Sequence, residues 1–141
     1  VTAFIRNRGK EFSGVSMEPR RVGWLDMPAL KYAIKENGVH ALAITKMDVL
    51  TGIDEIKVCT SYDVGGEKKE ILDVTDKDMW NAVPVYRKFD GWREDLSLCS
   101  DLKSLPIQAL DYIKYIEEET GIHVMWVGVG ADWGKALFIR R

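Results

Sequence analysis

Cysteine and histidine are scarce in this chain, with two of each among 141 residues. Cys59 and Cys99 lie far apart, and neither belongs to a cluster with the spacing of metal ligands. His40 and His123 stand singly in apolar stretches, and no set of residues resembles a Ser-His-Asp or Cys-His arrangement. The sequence therefore argues against a zinc site, a disulfide framework and nucleophilic catalysis by such a triad.

The chain also has no apolar run long enough to cross a bilayer and no strong charge of one sign, since its net charge is -2. These two absences argue against a membrane or a nucleic acid as a partner. Free thiols are typical of a reducing compartment, so we expect a cytoplasmic protein. With 46% hydrophobic and 30% charged residues and no internal repeat, residues 1–141 are expected to form one globular domain.

Hydrophobic periodicity predicts alternating helices and strands. Asp26 and Gly38 are suited to begin and end a first helix, and Ile107, Leu110, Ile113 and Ile116 recur at three-residue spacing in a second helix over 106–120. Strands are predicted at 1–12, 41–45, 53–62, 67–72, 84–89, 122–127 and 136–139, with a turn at 63–66 and a short helix at 76–81. This order indicates an α/β or α+β protein with one mixed sheet and flanking helices.

The most informative segment is ALAITKMD, residues 41–48, an apolar run that ends in Thr45, Lys46 and Asp48. Open α/β sheets bind ligands beyond the carboxyl ends of their strands. A carboxylate at position 48 is suited to accept the ring N–H and the exocyclic amine of guanine. Lys46 is suited to lay its aliphatic stem along the purine face, with its ammonium in water or on the ribose. TKMD is thus interpreted as a guanine-recognition loop.

A simpler interpretation of the same four residues stays open at this point. Thr45 caps a strand, Lys46 and Asp48 are solvated loop charges, and Met47 belongs to the core. Four residues alone do not decide between the two interpretations.

Two further loops carry residues suited to an anionic or flat ligand. Arg20 and Arg21 follow an irregular stretch at 11–23, and guanidinium groups bind phosphate or carboxylate through two parallel hydrogen bonds. Gly128 and Gly130 lie in a loop over 128–134, where glycine lets the backbone approach a ligand closely. A solvated basic turn and a tight strand connection are the alternatives. We expect all three loops to meet at one crevice.

Five segments together closely resemble the adenylosuccinate synthetase family in order and spacing. They are PRRVGWLD (19–26), ALAITKMDVLTGIDEIKVCTSY (41–62), VPVYRKFDGW (83–92), LPIQALDYIKYIEEETGI (105–122) and WVGVGAD (126–132). The resemblance covers essentially the whole chain but only the carboxyl-terminal part of that enzyme, which has a P-loop-NTPase-like α/β fold.

The resemblance implies a GTP-dependent ligase that joins the amino group of aspartate to C6 of inosine monophosphate (IMP), with a 6-phosphoryl intermediate and Mg²⁺. On this basis Lys46 and Asp48 match the guanine loop, and Arg20 matches an arginine near the GTP phosphates and the aspartate. The matches on the other side of the guanine are Gly128, Val129 and Gly130. A homodimer is also implied.

One loop departs from the family pattern. Where Gly-x-Thr-Thr-Gly-Arg is usual before Pro-Arg-Arg, this chain has Ser13, Gly14, Val15, Ser16, Met17 and Glu18. Glutamate replaces an arginine that serves the aspartate and the ribose, although Ser16 is still suited to donate one hydrogen bond to a carboxylate. A related phage branch, which acts on deoxyguanosine monophosphate (dGMP) and can take ATP instead of GTP, is the alternative.

The resemblance assigns no catalytic residue and no metal ligand to this chain. The glycine-rich phosphate loop, the catalytic aspartate and histidine and the Mg²⁺ ligands of the family belong to its amino-terminal part. The sequence also begins without an initiator methionine. We therefore expect a fragment, one piece of a split enzyme or a non-catalytic nucleotide-binding module, inactive without its amino-terminal partner.

Overall fold

The computed structural model describes residues 1–71, 80–132 and 134–139. Three helices lie in these ranges, namely α1 (Thr2–Gly9), α2 (Met27–Asn37) and α3 (Ile107–Thr120). The strands are β1 (Leu25–Asp26), β2 (Leu42–Ile44), β3 (Glu55–Val64), β4 (Glu67–Lys69), β5 (Val83–Asp90), β6 (Val124–Gly128) and β7 (Ala136–Phe138). Short 3₁₀ turns occupy Met47–Leu50, Leu96–Leu98 and Leu102–Ser104.

The strands form two mixed sheets. In the larger sheet β3 pairs in parallel with β1 and antiparallel with β4 and β5. In the smaller sheet β6 lies between β2, which is parallel to it, and β7, which is antiparallel. The predicted α/β class with mixed pairing and flanking helices is confirmed, but the strands divide between two sheets where one was expected. Local patterns identify strands, whereas the choice of partner depends on packing far along the chain.

The helix boundaries follow from their caps. The Asp26 carboxylate accepts a hydrogen bond from the Ala29 N–H at 3.0 Å, which begins α2 as predicted. Gly38 and Gly121 end α2 and α3 in the left-handed conformation, with φ of 59° and 68°. The helix predicted at 76–81 falls mostly on residues 72–79, outside the described ranges, as does the end of the arm predicted at 67–72.

The amino-terminal strand predicted at 1–12 is wrong, because residues 2–9 form α1. This helix buries none of its residues, so it lacks the apolar stripe that distinguishes a helix in sequence. The partly buried Ile5 packs against the core, and polar contacts to a distant loop add to the attachment of the helix. Arg8 donates to the Thr51 carbonyl at 2.6 Å, and Lys46 donates to the Gly9 carbonyl at 2.8 Å.

A single hydrophobic core joins the two sheets and α3. Its most deeply buried side chains, at 0 or 1% exposure, are Met27, Met47, Ile56, Val58, Trp92, Leu96, Ala109, Val124, Val127 and Val129. The Phe89 ring of β5 packs on Tyr112 and Tyr115 of α3, with centroids 5.7 and 4.9 Å apart. The stretches of chain before and after residues 45–48 therefore pack in the same core.

The two cysteines and the two histidines differ in their exposure. Cys59 is a buried free thiol, and Cys99 is a partly buried one. Both histidines are exposed, which corrects the apolar surroundings expected for them, and His123 Nδ1 lies 3.5 Å from the Glu117 carboxylate. In the ranges the structure covers, no helix has the length and apolar character to span a bilayer.

Candidate functional site

Two of the predicted ligand loops meet at one edge of the smaller sheet. β2 and β6 are adjacent and parallel, with Ile44 opposite Val127, so their carboxyl ends lie side by side. Residues 45–48 follow the first strand, and residues 128–130 follow the second. A Cβ added to Gly128 would lie 3.4 Å from both the Thr45 Cα and the Lys46 nitrogen. Glycine at 128 thus gives the two loops room to pack closely.

Lys46 is held at both ends. Its backbone is in the left-handed region, with φ of 60°, at the start of the 3₁₀ turn Met47–Leu50. Its ammonium donates to the Gly9 carbonyl at 2.8 Å and forms an ion pair with Glu11. The sequence predicted this ammonium in water or on a ribose, and in the structure the Lys46 side chain is 51% exposed while its ammonium also contacts Gly9 and Glu11. The aliphatic stem remains the part of Lys46 that is available to a base.

Asp48 has an unsatisfied carboxylate oxygen. It follows Met47, which is 1% exposed, and its Oδ1 atom is buried without a hydrogen-bond partner among the described residues, as is Nε1 of Trp126 on β6. Burying a carboxylate oxygen without a donor is unfavourable unless something else supplies the hydrogen bond. Because protein atoms cover this oxygen, a ligand N–H reaches it only if the residues around it move.

Arg20 reaches the same region through Glu11. Its Nη1 lies 3.4 Å from Glu11 Oε2, and its backbone N–H donates to the Glu11 carbonyl at 3.0 Å. Glu11 therefore lies between Lys46 and Arg20 and contacts both. The hydrogen bond from Lys46, with the charges of Lys46 and Arg20, holds the pKa of Glu11 below its ordinary value of 4.5. The stability that these contacts contribute is thus present above that pH and is lost as the pH falls through the lowered pKa.

Ser16 lies in an exposed turn that is closed by its own residues. The Ser13 hydroxyl accepts hydrogen bonds from the N–H groups of Val15 and Ser16, at 3.4 and 3.2 Å, and the Ser13 N–H donates to the Glu18 carbonyl at 2.8 Å. Val15 is 98% exposed, and Met17 has a left-handed φ of 55°. The turn presents apolar and acidic side chains to solvent, and no contact of Ser16 with Lys46 or Asp48 is among those of the described residues.

The residues between β6 and β7 contribute backbone rather than side chains. Val129 is completely buried, and its N–H donates to the Lys135 carbonyl at 2.8 Å. A Cβ added to Gly130 would lie 2.9 Å from Lys135 Cβ, so this position favours glycine. Val129 therefore packs in the core and presents neither side chain nor main chain to solvent.

Sequence reasoning missed two supports of the site. Glu11 lies where the strand predicted at 1–12 overlaps the irregular stretch at 11–23, and no contact with Lys46 or Arg20 was predicted for it. Trp92 is buried, and its indole N–H donates to the Thr51 hydroxyl at 3.1 Å, just beyond the TKMD turn. Nothing local in the sequence indicated that residues 90–92 pack on residues 51–54.

The described residues offer no group of three or more His, Cys, Asp or Glu that could hold a metal ion. The resemblance assigns the Mg²⁺ ligands to the amino-terminal part of the family, so these residues are not expected to hold the ion. A cleft of about 560 Å³ beside α2, β5 and α3 contains none of the predicted site residues. The candidate site is thus the pair of loops at the ends of β2 and β6, with Glu11 and Arg20 beside them.

Known proteins match this chain in sequence and in fold. A sequence model of the adenylosuccinate synthetase family matches residues 1–136. The adenylosuccinate synthetases of Aquifex aeolicus and Cytophaga hutchinsonii are 40% and 44% identical over 97% and 94% of this chain. The solved structure of fully ligated adenylosuccinate synthetase from Plasmodium falciparum matches 99% of this chain with a TM-score of 0.93 at 34% identity.

The matched region is only part of each relative. It covers 32% and 31% of the two bacterial proteins and 34% of the Plasmodium falciparum chain. The chain thus spans about a third of the length of the relatives it matches. Within that third, sequence and fold agree along nearly the whole chain. The chain belongs to the adenylosuccinate synthetase family.

Proposed function

We propose that this chain is the guanine-binding and aspartate-loop portion of a ligase of purine nucleotide biosynthesis. The complete enzyme uses GTP to join the amino group of aspartate to C6 of IMP, giving adenylosuccinate. The observation that carries the proposal is the buried, unpartnered Oδ1 of Asp48 at the carboxyl end of a parallel strand pair. Such a group is costly without a ligand and useful with one.

Each residue of the site has a role that its chemistry fits. Asp48 accepts the ring N–H and the 2-amino group of guanine, while the stem of Lys46 covers one face of the purine. Gly128, Val129 and Gly130 form the other side of the base site, with the two partly exposed glycines allowing close approach and the buried Val129 holding the loop in the core. Arg20 binds an anionic group, either a GTP phosphate or the aspartate carboxylate.

The chain contributes binding and orientation rather than bond making. We place the glycine-rich phosphate loop, the catalytic aspartate and histidine and the Mg²⁺ ligands in the amino-terminal part of the enzyme. We therefore expect residues 1–141 to be inactive alone and active with that part, in a homodimer as the resemblance implies.

A second candidate reaction is favoured by the turn at 13–18. Here Met17 has a left-handed backbone where the family pattern has glycine, and Glu18 stands where it has arginine. The backbone path of the family is therefore compatible with this turn, while the charge beside the acceptor is reversed. Such a change suits an enzyme of the phage type, which takes dGMP as the acceptor and ATP as a possible donor.

An assay of the complete enzyme with IMP and with dGMP, side by side, tests the proposed reaction. With aspartate, GTP and Mg²⁺ supplied, we expect turnover of IMP and little turnover of dGMP. If only dGMP is consumed, the second candidate is correct and the first is wrong. If neither is consumed by an enzyme that is folded and complete, both are wrong.

A further inference from the structure

The carboxyl end of α1 lies against residues 45–48, the loop proposed above to bind the guanine base. Lys10 ends this helix with a left-handed φ of 51°, and the Glu11 N–H donates to the Arg6 carbonyl at 2.9 Å. The last carbonyls of a helix have no partner within it. One of them, on Gly9, accepts the ammonium of Lys46 at 2.8 Å. A cation at this position also interacts favourably with the helix dipole.

Glu11 supplies the second acceptor for the same ammonium. Its side chain is 22% exposed, and the ion pair with Lys46 holds the tip of a long and flexible side chain. The left-handed backbone of Lys46 fixes the other end of that side chain. Anchoring at both ends leaves the four-carbon stem with one direction.

Glu11 is shared unequally between its two cations. Arg20 approaches it at 3.4 Å and keeps 61% of its side chain exposed, so this contact is largely screened by water. Lys46 makes the closer contact and is also held by a helix carbonyl. Removing the charge of Glu11 should therefore affect Lys46 first and Arg20 less.

We propose that Glu11 is a positioning residue of the nucleotide site, which fixes the stem of Lys46 as the wall that the purine base stacks against. The proposal rests on the guanine-site assignment above and adds to it a residue that need not touch the nucleotide. Lys46 then recognises the base through its methylene groups, because its charge is already used by Glu11 and Gly9.

A double-mutant cycle in the complete ligase tests this role. Glu11→Gln should raise the KM for GTP about three- to tenfold with kcat within twofold, because it weakens binding of ground state and transition state alike. Lys46→Met, which keeps an apolar stem but loses the anchor, should raise it similarly. The double variant should be no worse than either single variant, because both act on one contact.

Two further variants make the result interpretable. Glu118→Gln removes an exposed ion pair with Lys114 on α3, 3.5 Å long, and should leave both kinetic constants unchanged. Asp48→Asn tests the guanine assignment itself. If Asp48→Asn raises the KM for GTP and Glu11→Gln does not, only the role of Glu11 is wrong. If neither does, the guanine site is wrong as well.

Unfolding must be separated from positioning. Glu11→Gln should melt within about 2 °C of the wild type, since one partly exposed ion pair contributes little to global stability. If Glu11→Gln melts more than about 2 °C below the wild type, the proposal is tested by Lys46→Met alone. For the proposal to stand, Lys46→Met must then raise the KM for GTP with kcat unchanged. Effects of Glu11→Gln and Lys46→Met that multiply in the double variant, or a fall in kcat without a change in KM, would overturn it.

Discussion

At the scale of single residues, carboxylates carry much of the local organisation. Glu11 joins Lys46 and Arg20, and Asp26 joins two elements in a similar way. One oxygen of Asp26 accepts the Ala29 N–H that begins α2, and the other accepts the hydroxyl of Tyr62 on β3. Burial, together with the hydrogen bond to Asp26, raises the pKa of Tyr62, so its hydroxyl stays a donor throughout the physiological range.

The two contacts of Asp26 predict an order of stabilities. Asp26→Ala removes the helix cap and leaves the Tyr62 hydroxyl without this acceptor, so it should lower the free energy of unfolding by about 2 kcal/mol. Asp26→Asn keeps an oxygen for the cap and should cost less than half as much. Urea unfolding of the three proteins measures the difference. Equal losses for alanine and asparagine would contradict the cap assignment.

Residue-level prediction from sequence succeeded where the signal is local. The cap at Asp26, the stop at Gly38 and the burial of Met47 follow from residue type and immediate neighbours. The contacts of the Lys46 ammonium with Gly9 and Glu11 were not predicted, because these partners are more than thirty positions away. A contact of that sequence separation leaves no periodic trace.

At the scale of elements, residues 90–92 pack on residues 51–54, which follow the TKMD loop. The Gly91 N–H donates to the Asp54 carbonyl, and the Gly52 N–H donates to the Trp92 carbonyl, both at 2.8 Å. A Cβ at Gly91 would lie 1.6 Å from the Ile53 carbonyl oxygen, a distance that only backbone movement could relieve. Residues 90–92 therefore help to fix the position of residues 51–54 beside the candidate site.

Gly91→Ala should consequently destabilise the protein by about 3 kcal/mol, because the backbone at 53 must move to admit the methyl group. Gly23→Ala is the matched control, since a Cβ there meets nothing within 4 Å. It should change stability by less than about 0.5 kcal/mol. Thermal unfolding of both variants checks this, and a small loss for Gly91→Ala would show that the loop is not fixed as described.

Element prediction was accurate for the helices with clear ends and poor for α1. The spacing of apolar residues indicated α3, yet Ile107 is 64% exposed while Tyr112 and Tyr115 are buried against Phe89. The period therefore located the helix but not the full extent of its buried face. α1 has no buried residue, so no hydrophobic period could have revealed it.

At the scale of the whole molecule, the site is assembled from segments that are remote in sequence. A parallel strand pair brings residues 45–48 and 128–130 together, and α1 places Glu11 beside them. The sequence could predict that strand ends carry the ligand loops, because that rule depends on topology alone. It could not predict that Glu11 would mediate the approach of Arg20, since that depends on three-dimensional packing.

This chain corresponds to only part of its longer relatives. The family match spans residues 1–136, while the matched region covers about a third of the curated relatives. The proposed recognition of a guanine base involves the loops present here, whereas the proposed ligation reaction is assigned to the complete enzyme. Base selectivity is therefore the property that most directly reports on these residues.

The decisive measurement is the ratio of kcat/KM for GTP to that for inosine triphosphate, in the complete wild-type enzyme and in Asp48→Asn. Inosine lacks the 2-amino group, so the wild type should prefer GTP through the hydrogen bond to Asp48. Loss of one charge-assisted hydrogen bond should lower that ratio about tenfold in Asp48→Asn, with the KM for the acceptor nucleotide unchanged. The same ratio in both enzymes would contradict the assignment of Asp48 to the guanine site.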